Sequence, residues 1–424
     1  MGCTGILGPE EKVIIKLKRN IKEEEDGIEE NMKGKWQIFG EQELLEEDVK
    51  EGGWAYEEGV NDVNYYQFYK NNRDHITKII VDDKKKYEGD KISPYLDIND
   101  ENIHKVEIFF KDSQNIKSFA GMFYFRKNII DITFVNIDTS NANSMSCMFQ
   151  NVSSLSTLNL GDKFNTKNVK NMSSMFCDCT SLKSLNLGTQ FNTQNVNNMM
   201  NMFSHCTSLT TLNFGEQFYT QNVTNMESMF NGCSSLQSLS FDNKFITQNV
   251  RRMAGMFWKC SSLTTLNLGP EFNTQNVTDM MHMFSACKSL SSLSLGTKFN
   301  TQNVTTMMGM FSECTSLTSL DVGPQFNAQN VSNLCEMFRE CKSLSTLELG
   351  DNFDTKNATD MSYMFSQCTA LKKVTLGLKF TTKNNPNLTG MFYNCDALDG
   401  ILSPDKPLNE KFRKNDKLIF KGES

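Results

Sequence analysis

Met-Phe dipeptides recur eleven times along this chain, from Met122-Phe123 to Met391-Phe392, and after a first step of 26 residues to Met148-Phe149 every interval is 27 residues. A constant period of this size marks a solenoid, because one such unit cannot bury its apolar face alone and must stack on its neighbours to build a core. In the unit that starts at Met202 the recurring residues are Phe203, Cys206, Leu209, Leu212, Phe214, Gly215, Phe218, Thr220, Asn222, Val223 and Met226, and Met229 restarts it. Leu212 and Phe214 alternate with the period of a strand, and Gly215 suits the turn that leaves it. Val223, Met226, Met229 and Phe230 fall at i, i+3, i+6 and i+7, which predicts a short helical turn with its apolar side inward. The expected coil is strand, turn, extended corner, short helix. About eleven coils at the ~4.8 Å spacing of paired strands predict a ladder on the order of 50 Å long, and an elongated molecule.

Two further files keep the same period. Asn141, Asn168, Asn195, Asn222, Asn249, Asn276, Asn303, Asn330, Asn357 and Asn384 share one phase. A polar residue held at one position among apolar ones is expected to bond the backbone of adjacent coils through its amide, a structural role. Cys179, Cys206, Cys233, Cys260, Cys287, Cys314, Cys341, Cys368 and Cys395 share another, each three residues after the Phe. Nothing selects disulfide partners among nine equivalent thiols, and one ligand per coil does not converge four ligands on zinc. They read as reduced, buried, small hydrophobes in a reducing compartment.

These residues carry a resemblance. Phe191-Asn192-Thr193-Gln194-Asn195-Val196, followed at fixed spacing by Met199, Met202-Phe203, Cys206, Ser208-Leu209 and Leu212, resembles the BspA-type leucine-rich repeat, and the pattern runs over residues 104–403. The resemblance implies an α/β solenoid of leucine-rich-repeat-like coils with a parallel strand ladder, a role in binding or adhesion, and no catalytic residues. Bacterial surface members carry export signals, and this chain displays none.

Composition separates three regions. Residues 1–103 lack the period and mix aromatic residues (Trp36, Trp54, Tyr56, Tyr65, Tyr66, Phe68, Tyr69) with β-prone runs such as Val13-Ile14-Ile15 and Ile79-Ile80-Val81. Residues 1–120 hold 18 Lys+Arg against 27 Asp+Glu, net -9, and the remaining 25 against 23 give +2, recovering the total of -7. A small, acidic, β-rich cap domain is expected here, covering the open edge of the first coil. Glu23–Glu30 and Glu41–Glu51 are charged enough to be solvated. The solenoid spans 104–403, and 404–424, beginning where Pro404 breaks the pattern, forms a C-terminal cap or tail.

A sequence pI near 5.4 with no basic stripe in phase argues against nucleic acid. The four histidines are scattered, and no phosphate loop, nucleophile elbow or metal-protease signature occurs, so no enzyme, cofactor or metal is expected. Function then rests on what varies between coils. Exposed strand positions such as Thr264-Thr265, Ser291-Ser292 and Thr318-Ser319 offer a hydroxyl-rich face suited to a flat protein surface, or are simply soluble β-compatible filler. The opposite half of the coil varies more, and Arg251, Arg252, Trp258, His282 and Tyr363 are the candidate contact patch.

No apolar run follows Met1, so neither a secretory signal nor a membrane helix is expected, and the location reads as cytoplasmic, either free, membrane-associated or within a large assembly. Met1-Gly2-Cys3 resembles the start of chains acylated on Gly2 and Cys3, with Lys12, Lys16, Lys18, Arg19 and Lys22 as an electrostatic second signal for peripheral membrane contact. Against this, Ile6 stands where Ser or Thr is usual, and Val13, Ile15 and Leu17 alternate with the same lysines as in a half-exposed strand. The function these observations imply is a non-enzymatic interaction or scaffold protein that presents a repeat surface to a protein partner. The alternatives are a structural subunit of a cytoskeletal or membrane-associated assembly, and a surface adhesin.

Overall fold

The structure, a computed structural model, describes residues 9–18, 35–39, 68–98, 100, 102–398 and 400–402. Its chain divides into two compact units, residues 1–196 with 212–218, and residues 197–211 with 219–424. The expected acidic segments Glu23–Glu30 and Glu41–Glu51, the tail 404–424 and the acylation candidates Gly2 and Cys3 lie outside the described residues.

The first unit opens with a six-stranded sheet in the order β4-β3-β6-β1-β7-β8. Its members are β1 (Glu11–Lys18), β3 (Ile76–Val81), β4 (Lys85–Glu88), β6 (Ile103–Phe110), β7 (Ile129–Val135) and β8 (Thr157–Asn159). Two short strands, β2 (Lys35–Gln37) and β5 (Tyr95–Asp97), pair separately, and α1 (Phe68–Asn72) is the one α-helix among the described residues. β1 alternates as its sequence predicts, with Val13, Ile15 and Leu17 fully buried. It lies antiparallel to both β6 and β7, so the chain's first strand covers the edge of the parallel ladder that begins with β7 and β8. His104–Phe110, which the period suggests as the first solenoid strand, therefore joins the antiparallel sheet in β6, because β1 has taken the edge of β7.

Each Met-Phe pair is followed by a strand. After β7 come nine three-residue strands, β8 through β16 (Lys373–Thr375), and then β17 (Gly400–Leu402). Pairing is parallel and in register at 27 residues, as in Leu239↔Leu266 between β11 (Ser238–Ser240) and β12 (Thr265–Asn267). The core is a set of files. In the second unit the rings of Phe203, Phe230, Phe257, Phe284, Phe311, Phe338, Phe365 and Phe392 stack in sequence, with Phe311 and Phe338 5.4 Å apart and 6° from parallel. Met and Cys files run beside them, and Met226, Met229 and Cys233 are fully buried.

One expectation fails: the Met-x-x-Met-Phe segment is a run of tight turns and not a short helix. The backbone donors explain this. From Met199 to Cys206, the N–H groups of Met199, Asn201, Phe203 and His205 donate to carbonyls of the next coil, those of Asn225, Glu227, Met229 and Asn231. The N–H groups between them, those of Met202, Ser204 and Cys206, close local turns onto the residue three before. Stacking thus claims alternate donors that a helix would need for its own i−4 bonds. Asn201 (φ 55°) and His205 (φ 57°) adopt the left-handed conformation, and the same two positions do so in every coil.

Candidate functional site

A solenoid can recognise partners only with groups that its own stacking does not consume. The Asn file is consumed. The amide of Asn168 donates to the Ser140 carbonyl at 2.7 Å, Asn276 to Gln248 at 2.7 Å and Asn303 to Gln275 at 2.7 Å, each reaching the preceding coil from an exposed turn. Asn141, Asn195, Asn249, Asn330, Asn357 and Asn384 bond in the same way.

The Cys file is consumed too. The thiols of Cys233, Cys260 and Cys287 donate to the carbonyls of Phe203, Phe230 and Phe257 at 3.1, 3.2 and 3.2 Å. None of the described cysteines forms a disulfide, and burial pushes the thiols of Cys233, Cys260 and Cys287 up, and that of Cys314 to about 12. A thiol so disfavoured as thiolate is a poor nucleophile.

A third ladder went unread in the sequence. Thr166, Thr220, Thr247, Thr274, Thr301 and Thr355 are buried, and each hydroxyl donates to the carbonyl 26 residues on, Thr274 to Asn300 at 2.8 Å and Thr301 to Asn327 at 2.7 Å. Several of these oxygens also accept the N–H of that same residue, as Thr301 does from Asn327 at 2.7 Å. The repeating threonine was the available signal; its partner was not.

On the strand face, Thr264 and Thr318 spend their hydroxyls on Gln237 and Ser291 carbonyls, at 3.0 and 2.9 Å. The neighbouring file, including Ser238, Thr265 and Ser292, remains exposed at the strand surface.

The turn face carries the variation. In the second unit an unbroken file of parallel bridges joins residues 198, 225, 252, 279, 306, 333, 360 and 387. Seven of these eight positions hold Asn, Asp or Thr, and each accepts the N–H two residues on, as Asn225 does from Glu227 at 2.9 Å and Asp279 from Met281 at 2.9 Å. The exception is Arg252. Six residues further along the same coil, Trp258 stacks on His282 of the next coil, with ring centres 5.3 Å apart and planes at 16°. The Lys259 ammonium sits 4.4 Å from the Trp258 ring centre.

Of the predicted patch, the structure thus brings together Trp258 and His282, and places Arg251 and Arg252 exposed on the coil of Trp258. Tyr363 stands in the His282 file 81 residues on, three coils away, at 40% exposure. Burial holds the His282 imidazole below its ordinary pKa, despite nearby carboxylates. A Cβ on Gly309 would lie 2.3 Å from His282 Nδ1, so the ring occupies space that only a glycine leaves.

One histidine cluster lies elsewhere. His104, 9% exposed in β6, has Nδ1 2.7 Å from Asp82 and Nε2 2.8 Å from Asp100. Ionised carboxylates only accept, so this geometry favours the form of His104 in which both ring nitrogens carry protons. Burial alone would lower its pKa, but the bonds to Asp82 and Asp100 prevail and raise it. In the same strand burial disfavours the Glu107 charge, yet Lys12 at 2.8 Å and Lys105 at 3.2 Å hold its carboxyl below the usual range. Both clusters are saturated by their own partners and bind strands together. Among the described residues no group of His, Cys, Asp and Glu is arranged to hold a metal ion, and no helix is long and apolar enough to cross a membrane.

The family described as "Mycoplasma protein of unknown function, DUF285" matches residues 98–211, 184–295, 210–322 and 292–405, overlapping spans that cover well over half of the chain. Among solved structures, a leucine-rich cell surface protein from Faecalibacterium prausnitzii is 18% identical, with 68% of this chain and 76% of that one covered and a TM-score of 0.37. A leucine-rich-repeat protein from Leptospira interrogans is 15% identical, with 67% and 79% covered and a TM-score of 0.22. No curated protein matches.

Proposed function

Since the chain belongs to the DUF285 family and carries the BspA-type leucine-rich repeat, we propose that it is a non-enzymatic scaffold that presents the turn face of its coils to a protein partner. The observation that carries this reading is the division of labour just described. The Asn, Cys and Thr files and alternate backbone donors are spent on stacking, whereas the exposed Arg251, Arg252 and Lys259 and the half-exposed Trp258 gather at turn positions that face solvent. Aromatic residues and arginine are the side chains that dominate protein interfaces. In the same reading β1, β3, β4 and β6 cap the first coil of the solenoid.

Crosslinking mass spectrometry on the native source material tests the proposal. Crosslinks from a partner protein are expected at turn-face lysines such as Lys259 and Lys288. Recovery of no partner, or of crosslinks confined to the strand face, would count against it.

A further inference from the structure

The coil from Asn249 to Cys260 breaks the rules its neighbours obey, and the breaks coincide. At residue 252 every other coil of the second unit has a side chain that caps the N–H two residues on; Arg252 cannot accept, and no described group bonds the Ala254 N–H. Trp258 fills a file that holds Asn231, Ser285 and Ser312 in adjacent coils. Three buried side-chain atoms in the described residues lack a partner, and two of them, Asn231 Oδ1 and His282 Nδ1, belong to the coils on either side of Trp258. Departures from the pattern that coincide at one coil and its two neighbours indicate a demand other than folding.

The demand is legible in the charge. Arg251, Arg252 and Lys259 are exposed cations on the coil of the half-exposed Trp258, with Lys259 against its ring, on a chain of net charge -7. Two acids lie close by: Glu227 pairs with the Arg252 guanidinium at 3.8 Å without a hydrogen bond, and Asp279 of the next coil accepts the Met281 N–H, so three exposed cations stand against two carboxylates. We propose that this coil is the docking point for an extended acidic segment of a partner protein, whose carboxylates pair with Arg251, Arg252 and Lys259 and whose apolar side chain lies on Trp258. This deepens the scaffold reading and rests on it.

The full-length chain is presented with a library of random 12-residue peptides, and the selected peptides are measured against wild type, Arg252→Asn and Trp258→Ser. Wild-type binders are expected to be enriched in Asp and Glu around an apolar or aromatic residue, and to weaken with salt. Arg252→Asn restores the cap, so its melting temperature rises while peptide affinity falls by at least ~fivefold; Trp258→Ser also loses affinity. The inference is overturned if binders show no acidic enrichment, if Arg252→Asn binds as well as wild type or melts lower, or if phosphatidylserine vesicles bind in place of peptides. Binders that crosslink to other coils would refute this site and leave the scaffold reading standing.

Discussion

Position 328 offers a direct test of the threonine ladder, because there the ladder lacks a rung. Ala328 is fully buried in the file of Thr274, Thr301 and Thr355. In those coils the hydroxyl accepts the N–H and donates to the C=O of the residue 26 positions on, as with Thr355 and Thr381 at 2.8 and 2.7 Å. The groups facing Ala328 are the N–H and C=O of Asp354, for which no backbone partner is found. Ala328→Thr adds two hydrogen bonds at about 1 kcal/mol each and a methyl group at about 0.8 kcal/mol. Fixing the rotamer costs about 0.5 kcal/mol. Asp354 is half-buried and already meets water, which offsets one bond, so the expected net stabilisation is about 1–2 kcal/mol. Urea unfolding of the full chain, followed by tryptophan fluorescence and circular dichroism, should show the midpoint rising by roughly 0.5–1 M with little change in slope. An unchanged or lower midpoint would mean that the coil has closed around alanine, and that the other hydroxyls are tolerated and not required.

Three further outcomes are expected. Gly377 has φ +79° and its Cβ would meet the Gly350 carbonyl oxygen at 2.0 Å, so Gly377→Ala should destabilise the second unit by at least ~2 kcal/mol; a smaller loss in the urea midpoint would refute that close approach. For His104 the folded pKa is raised and those of Asp82 and Asp100 are lowered, with burial opposing the charge on His104 and Asp82. The clasp is therefore complete above the unfolded pKa of the carboxylates and below that of histidine, and is lost as pH rises through the folded His104 value. His104→Gln should then cost more stability at pH 5.5 than at pH 9, and equal costs would show that the imidazole is neutral throughout. Among the described cysteines, the half-buried Cys147, Cys335 and Cys395 should be the ones to react with a maleimide in the native protein; modification of the Cys233–Cys368 file before unfolding would contradict its burial.

How far a single sequence could be read depended on how far apart the partners lay. The strand after each Met-Phe pair, the inward Phe, Met and Cys files and the outward Asn file were all visible, because a residue that recurs every 27 positions must meet its own copy when units stack. The helix assigned to Val223–Phe230 was wrong for a reason outside the segment. Its hydrophobic spacing suits a helix, but the next coil draws off alternate N–H groups, and pattern alone does not say where donors go. Trp258 and His282 could be named as surface candidates, yet their stacking arises from one coil offset against the next.

From the sequence alone came the solenoid, its period and the direction in which each file points, since repetition converts local alternation into long-range order. The tertiary structure decided the rest: that β1 covers the edge of β7, that His104 lies between two aspartates 22 and 4 residues away, and that Arg252 sits where its neighbours place a cap. These are pairings between groups that do not repeat or that meet across a coil boundary, and their energies depend on a proximity that only the folded chain creates.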